Sequence, residues 1–376
     1  MRAFGIGSFS FVINELGQGK EITVDNFFTE LEKMLYKLPT INNVLISYDQ
    51  QEKERVVSYS EEVLGMNLDG RINPFIDGLD VAFDLSLSKR VQDELCNSKG
   101  IYFNSDATTE NFRVYIRNYY YTASTFIEVL NANEYVQGSN SVFIVREYLN
   151  ESFNNLGGFI SFDSQGPSPF HADFYILHES GGDEDEYNRG ISTKISDGMG
   201  YADIKIYVNP SNHIAEDEVM DFVIFKMISE VDYYYALLTK KKQRSNEWAL
   251  IEMLMDEFIS LTSGKARMFS YFKKKKLLND LLRELWVFKS NEISEERARL
   301  SSYNDQYKKD NINFIKAFID REIAEDNKYP IDDTKSLVQF YEGKNSKAFE
   351  LMITFLTALI GGIVGAIATA LTQGGK

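Results

Sequence analysis

The chain has little of what usually carries chemistry. Its 376 residues include one cysteine, Cys96, and three histidines, His171, His178 and His213. A single cysteine excludes an intramolecular disulfide and fits a reducing compartment. In DELCNSKG it has no neighbouring histidine, so an idle, buried thiol is expected. HExxH, CxxC and GxSxG are absent. Gly19–Lys20 and Gly264–Lys265 lack the upstream glycine of a phosphate loop, and no GxGxxG opens a helix after a strand. No cofactor is therefore expected, and the balance tilts away from an enzyme.

Helix breakers are also unevenly scarce. Five of the six prolines lie at or before Pro210; the sixth is Pro330. Ser211 to Tyr329 holds no proline and one glycine, Gly264. Such a stretch favours helix. Expected helices are Ala215 to Leu238, Glu247 to Leu261, Met268 to Phe288 and Ile293 to Ile323.

Before Pro210 the pattern is mixed. Alternation from Phe4 to Ile13 predicts a strand. Val24 to Leu38 carries Phe27, Leu31, Met34 and Leu35 at helical spacing, with Asp25 where the helix dipole favours an anion. Val44 to Tyr48 and Arg55 to Tyr59 read as paired strands. Val114 to Val129 fits either strand or helix. Ser141 to Glu147, Gly158 to Asp163, Ala172 to His178 and Ala202 to Val208 are strand-like, and Gly181 to Gly190 reads as an acidic loop.

Charge is missing altogether from Leu351 to Gly375. Within it, Leu351 to Thr372 is 22 apolar or weakly polar residues. As a helix at 1.5 Å per residue that is about 33 Å, enough for a hydrocarbon core of about 30 Å. The fold class expected is α+β: a mixed region at 1–210, a helical region at 211–329, a connector at 330–348 and a single C-terminal transmembrane helix at 349–373.

Small residues stripe that run. Ala358, Gly362, Ala366 and Ala370 fall four apart, as do Thr357, Gly361, Gly365 and Thr369. Such stripes let helix backbones approach closely in lipid, so self-association is expected. MRAFGIGSFSFVINEL has no long apolar stretch of the secretory kind. Lys344 and Lys347 precede the span and Lys376 follows it, which places the body on the cytoplasmic side of an inner membrane.

The formal charge of −16 opposes bulk affinity for nucleic acid or anionic lipid. Against it, Lys240 to Lys276 holds ten basic and four acidic residues, a surplus of six, which leaves −22 for the rest. Lys240, Lys241, Lys242, Arg244, Lys273, Lys274, Lys275 and Lys276 form a candidate basic patch. Lipid, a protein and nucleic acid are its candidate partners, in that order. Solvated helix ends are the plain alternative, with lysines suited to a helix dipole.

One cluster hints at catalysis. His171 and Asp173 would share a strand face, and Asp203 and Lys205 recur as Asp-x-Lys on another strand. Carboxylates holding Mg²⁺ beside a lysine resemble a metal-dependent nuclease site. Asp-x-Lys also arises by chance on half-exposed strands. The reading favoured by the architecture is a membrane-anchored effector or sensor of bacterial anti-phage defence, self-associating and holding a protein partner. A tethered nuclease and a passive scaffold are the alternatives.

Overall fold

In a computed structural model the chain is mixed α+β, with an N-terminal sheet and C-terminal helices. The structure describes residues 1–14, 21–57, 79–101, 108–119, 122–178, 181–188, 190–197, 201–209, 214–263, 271–307, 313–325, 328–341, 343 and 354. Two compact units divide it. The first takes in Met1–Lys240 and Asn304–Glu325, the second Lys241–Tyr303 and Asp326–Lys376. The change from strands to helices falls near 210, as composition implies, but the division between units falls further on, inside a helix.

The first unit is built on a sheet in the order β2-β3-β4-β5-β1-β7-β9-β8, with β6 also pairing β1. The strands are β1 (Arg2–Ile13), β2 (Ile41–Ser47), β3 (Leu79–Ser86), β4 (Asn111–Tyr119), β5 (Thr122–Val129), β6 (Ile160–Gln165), β7 (Ala172–Leu177), β8 (Ile191–Asp197) and β9 (Ala202–Val208). Helices α1 (Val24–Tyr36), α2 (Lys89–Ser98), α3 (Gly138–Leu156) and the short α4 (Glu184–Asn188) lie between them. β2 pairs with β3, and among the described residues of the strand expected at 55–59 the isolated bridge Thr23↔Val56 forms, residues 58–59 lying outside the described ones. The ambiguous stretch from 114 to 129 is the β4–β5 hairpin. The acidic loop expected at 181–190 contains α4.

β6 and β7 follow β1 in succession. Ser8 pairs with Gln165 and Phe4 with Phe174, so β1 advances four residues while its partner advances nine. Between them Phe170 donates its amide to the Ile6 carbonyl at 2.7 Å. Residues 166–171 are thus an excursion from one broken strand. It carries Phe170 into an aromatic cluster with Tyr234 and Phe318, at centroid distances of 4.6 and 4.9 Å.

α1 forms where the apolar spacing places it. Thr23 caps it by accepting from the Asn26 amide at 3.2 Å, worth about 1 kcal/mol. Its buried face, Phe27, Leu31, Met34 and Leu35, joins the core beneath the sheet. α3 corrects the strand expected at 141–147. Every residue from Gly138 to Val145 is buried. A helix buried all round shows no 3.6-residue alternation, so periodicity could not separate it from a strand.

Of the four helices expected, the first two are joined in one long helix and the last two are joined in another as far as Gln306. α5 (Val219–Ser263) runs unbroken through TKKKQRSNE, whose lysines, glutamine and arginine are good helix formers. α6 (Tyr271–Gln306) ends short of the limit expected at 323, and α7 (Lys316–Ala324) is separate. The unit boundaries fall inside α5 and α6.

The second unit is a bundle of α5 beyond Lys240, α6 up to Tyr303 and a helical stretch at 331–341. Trp248, Phe258, Leu281, Leu285, Phe288 and Val338 are in its core. α5 and α6 run antiparallel: Trp248 meets Phe288 at 5.4 Å, and Glu257 pairs with Lys273 at 3.1 Å. The stretch 331–341 follows α5, since Tyr329 packs on Trp248 and Tyr341 on Phe258.

Among the described residues no helix is long and apolar enough to cross a membrane. Leu351 to Thr372, Thr354 excepted, lies outside the described residues, and so does every member of its small-residue stripes.

Candidate functional site

The structure brings Asp173 and Asp203 together. β7 and β9 are parallel, with Asp173 opposite Asp203 and Tyr175 opposite Lys205. All four share one face. Their environments differ, however. Asp173 is buried, and its carboxylate accepts from the Ser139 amide at 2.8 Å. Ser139 opens α3, so this anion sits where a helix N-terminus wants one. Burial pushes the Asp173 carboxyl up; its bonds from Ser139 pull it down, and Asp203 adds repulsion. Lys205 is exposed, and His171 stacks edge-on against Tyr201 at 5.6 Å. Among the described residues no group of three His, Cys, Asp or Glu is placed to hold a metal ion.

Asp173 is therefore explained by what it does for α3. Asp173→Ala should cost about 1–2 kcal/mol of stability in urea unfolding, the worth of a helix cap. Asp173→Asn should lose less, and Lys205→Ala should stay within about 0.5 kcal/mol. Equal stability of Asp173→Ala and wild type would show that the cap is not structural.

The basic residues do not form one patch. Lys240 to Arg244 lie midway along α5, whereas Lys273 to Lys276 form the first turns of α6. Lys273 pairs with Glu257, and Glu257 is thirteen residues from Arg244 on α5. At 1.5 Å per residue the two groups are about 20 Å apart. Arg244 faces Glu295 at 3.7 Å, and Lys274 is only 4% exposed. Lys273, Lys275 and Lys276 are exposed. They stand at a helix N-terminus, where the dipole repels cations, so the dipole does not account for them.

Two charged clusters in the first unit were not foreseen. On one sheet face Arg113 bonds Asp84 at 2.6 Å, Arg2 bonds Glu128 at 3.1 Å, and Tyr115 donates to Glu128 at 3.4 Å. Arg117 bridges Asp80 at 3.3 Å and Asp221 of α5 at 2.7 Å. Burial raises the Glu128 carboxyl despite its two arginines, and burial raises Tyr115. Asp84 is held below the usual carboxylate range, because the bonds from Arg113 and Asn43 outweigh its burial. The second cluster is Glu230 of α5. It accepts from Tyr307 Oη at 2.7 Å and from the Phe314 and Ile315 amides at 2.7 and 3.1 Å. Alternation in β3 and β4 was the available signal for the first cluster. None existed for the second, whose partners lie far along the chain.

Cys96 is buried with its thiol pushed up, chiefly by burial, as an unreactive cysteine should be. No family model matches the chain, and no curated protein or solved structure matches it.

Proposed function

We propose that the protein is a membrane-anchored effector. Its body binds a trigger or partner at the cytoplasmic face of an inner membrane. Its segment 351–372 spans the bilayer and associates with copies of itself to perturb the membrane, as a bacterial anti-phage effector would. The observation that carries this reading is the uncharged 22-residue run with small residues in two stripes. Two features of the body support it. HExxH, CxxC, GxSxG and the phosphate loop are absent from the sequence, and the candidate carboxylate Asp173 is engaged in capping α3.

The test is expression of the full chain with a membrane-potential dye as readout. Wild type should depolarise cells; the doubly substituted Gly361→Leu, Gly365→Leu chain should reduce the depolarised fraction at least about tenfold, since bulky residues keep the backbones apart. Replacing the run with polyleucine should act likewise. Full depolarisation by either variant, or none by wild type, sinks the proposal, and a tolerated polyleucine run points to a passive scaffold.

A further inference from the structure

We propose that one end of the second unit, formed by Phe272, Lys273, Lys275 and Lys276, docks on an anionic lipid surface beside the span. This rests on reading 351–372 as the membrane segment. Four observations converge on that end of the bundle.

First, the sequence around it is basic. From Phe258 to Asn279 the sequence holds six basic residues and no acidic one, in a chain of net charge −16. Second, the lysines are costly where they stand. They crowd the first turns of α6, against one another and against the positive end of the helix dipole. Glu257 meets Lys273. An anionic surface offsets both repulsions.

Third, an aromatic lies with them. Phe272 is 79% exposed at the start of α6, immediately before the lysines. An apolar ring beside lysines is the composition found at headgroup level, where the ring enters the interface and the ammonium groups meet phosphates.

Fourth, Tyr341 lies at that end. Tyr341 packs on Phe258 at 5.6 Å, and Phe258 follows Glu257, the partner of Lys273. Nine residues then separate Tyr341 from Leu351. Even fully extended at about 3.3–3.6 Å per residue, the ten steps from Tyr341 to Leu351 reach at most about 36 Å, which keeps this end within that distance of where the span enters the bilayer. The other basic group, Lys240 to Arg244, lies about 20 Å further back along α5.

The experiment uses the full chain in vesicles, with Cys96→Ala and Asn279→Cys to carry a donor dye and an acceptor on the lipid headgroups. Position 279 is exposed and about 10 Å along α6 from Phe272. Energy transfer should be at least about twofold stronger in phosphatidylcholine with one-third phosphatidylglycerol than in phosphatidylcholine alone, and should fall in high salt. The triple variant K273E/K275E/K276E should abolish the difference, each lysine being worth roughly fivefold in binding. K240E/K241E/K242E should keep it. Equal transfer in both lipids, or transfer insensitive to the first triple variant, overturns the proposal. So does triple-sensitive retention on a DNA duplex without lipid-dependent transfer, which gives the end to nucleic acid.

An alkaline carbonate wash separates this proposal from the one beneath it. Retention in vesicles without lipid-dependent transfer fells the docking surface alone. Release by the wash fells the span; flotation at neutral pH then decides the docking surface, supporting it if lysine-dependent and overturning it if absent.

Discussion

Gly138→Ala should leave the protein unable to fold and accumulate. A Cβ at Gly138 would lie 2.0 Å from the Phe4 carbonyl oxygen and 2.7 Å from the Gly5 nitrogen. A Cβ at Gly5 would lie 2.2 Å from the Gly138 carbonyl oxygen. The obstacles at Gly138, and the nearest one at Gly5, are backbone of a core element, β1 or α3, so no side-chain movement relieves them. Relief requires moving α3 off the sheet. That would open the contacts of Val142, Val145 and Leu149 and pull the Ser139 amide from Asp173. A loss above about 4 kcal/mol is expected, most of the stability of many domains. Gly5→Ala should behave the same way. Gly343→Ala is the control: nothing lies within 4 Å of its Cβ, and the change should be neutral or slightly stabilising. Soluble, cooperatively unfolding Gly138→Ala protein would show that α3 does not sit on β1 this closely.

These glycines mark what the sequence made legible and what it did not. Alternation in β1 was plain, and Gly5 and Gly7 stood within it. Their purpose is close approach by a helix more than 130 residues away, which no local pattern records. α1 was legible because one face is buried and the other wet. α3 was not, because burial on all sides erases the alternation that distinguishes helix from strand. α5 was expected to break at its run of polar residues, yet those residues favour helix and the chain continues.

The candidate site was half legible for the same reason. Strands carrying Asp173 and Asp203 were foreseen, and their register does set the two side by side. The arrival of α3 on Asp173 was not foreseen. It turns a candidate metal ligand into a helix cap. The lysines were seen as one patch because they are close in sequence; an antiparallel helix pair carries them to separate places. What the sequence alone states most strongly, the uncharged run, is the feature from which the function is proposed.

Glu230 offers the second large effect. Its carboxylate holds the Phe314 and Ile315 amides at the start of α7 and the Tyr307 hydroxyl, so three donors converge on one buried side chain. Phe314 and Ile315 are themselves fully buried. Glu230→Ala leaves those amides without partners and should cost about 3–5 kcal/mol in urea unfolding. Glu230→Gln can still accept from the two amides through its oxygen, and its NH2 can donate to the tyrosine, so it should cost under about 1.5 kcal/mol. The two variants thus separate hydrogen bonding from charge. Their pH dependence separates them further. Burial raises the Glu230 carboxyl above its ordinary 4.5, although all three donors and Lys316 pull the other way. The folded state then binds this proton more tightly than the unfolded chain. Its contribution is fully present below 4.5 and is lost as pH rises through the raised value. Wild type should therefore lose stability relative to Glu230→Gln as pH climbs out of the carboxylate range, and the gap should level off beyond. Glu128 and Asp173, also raised by burial, are common to both proteins and cancel in the difference. A gap that is flat, or that moves in favour of wild type as pH rises, would mean that the three donors outweigh burial and that Glu230 stays ionised at little cost.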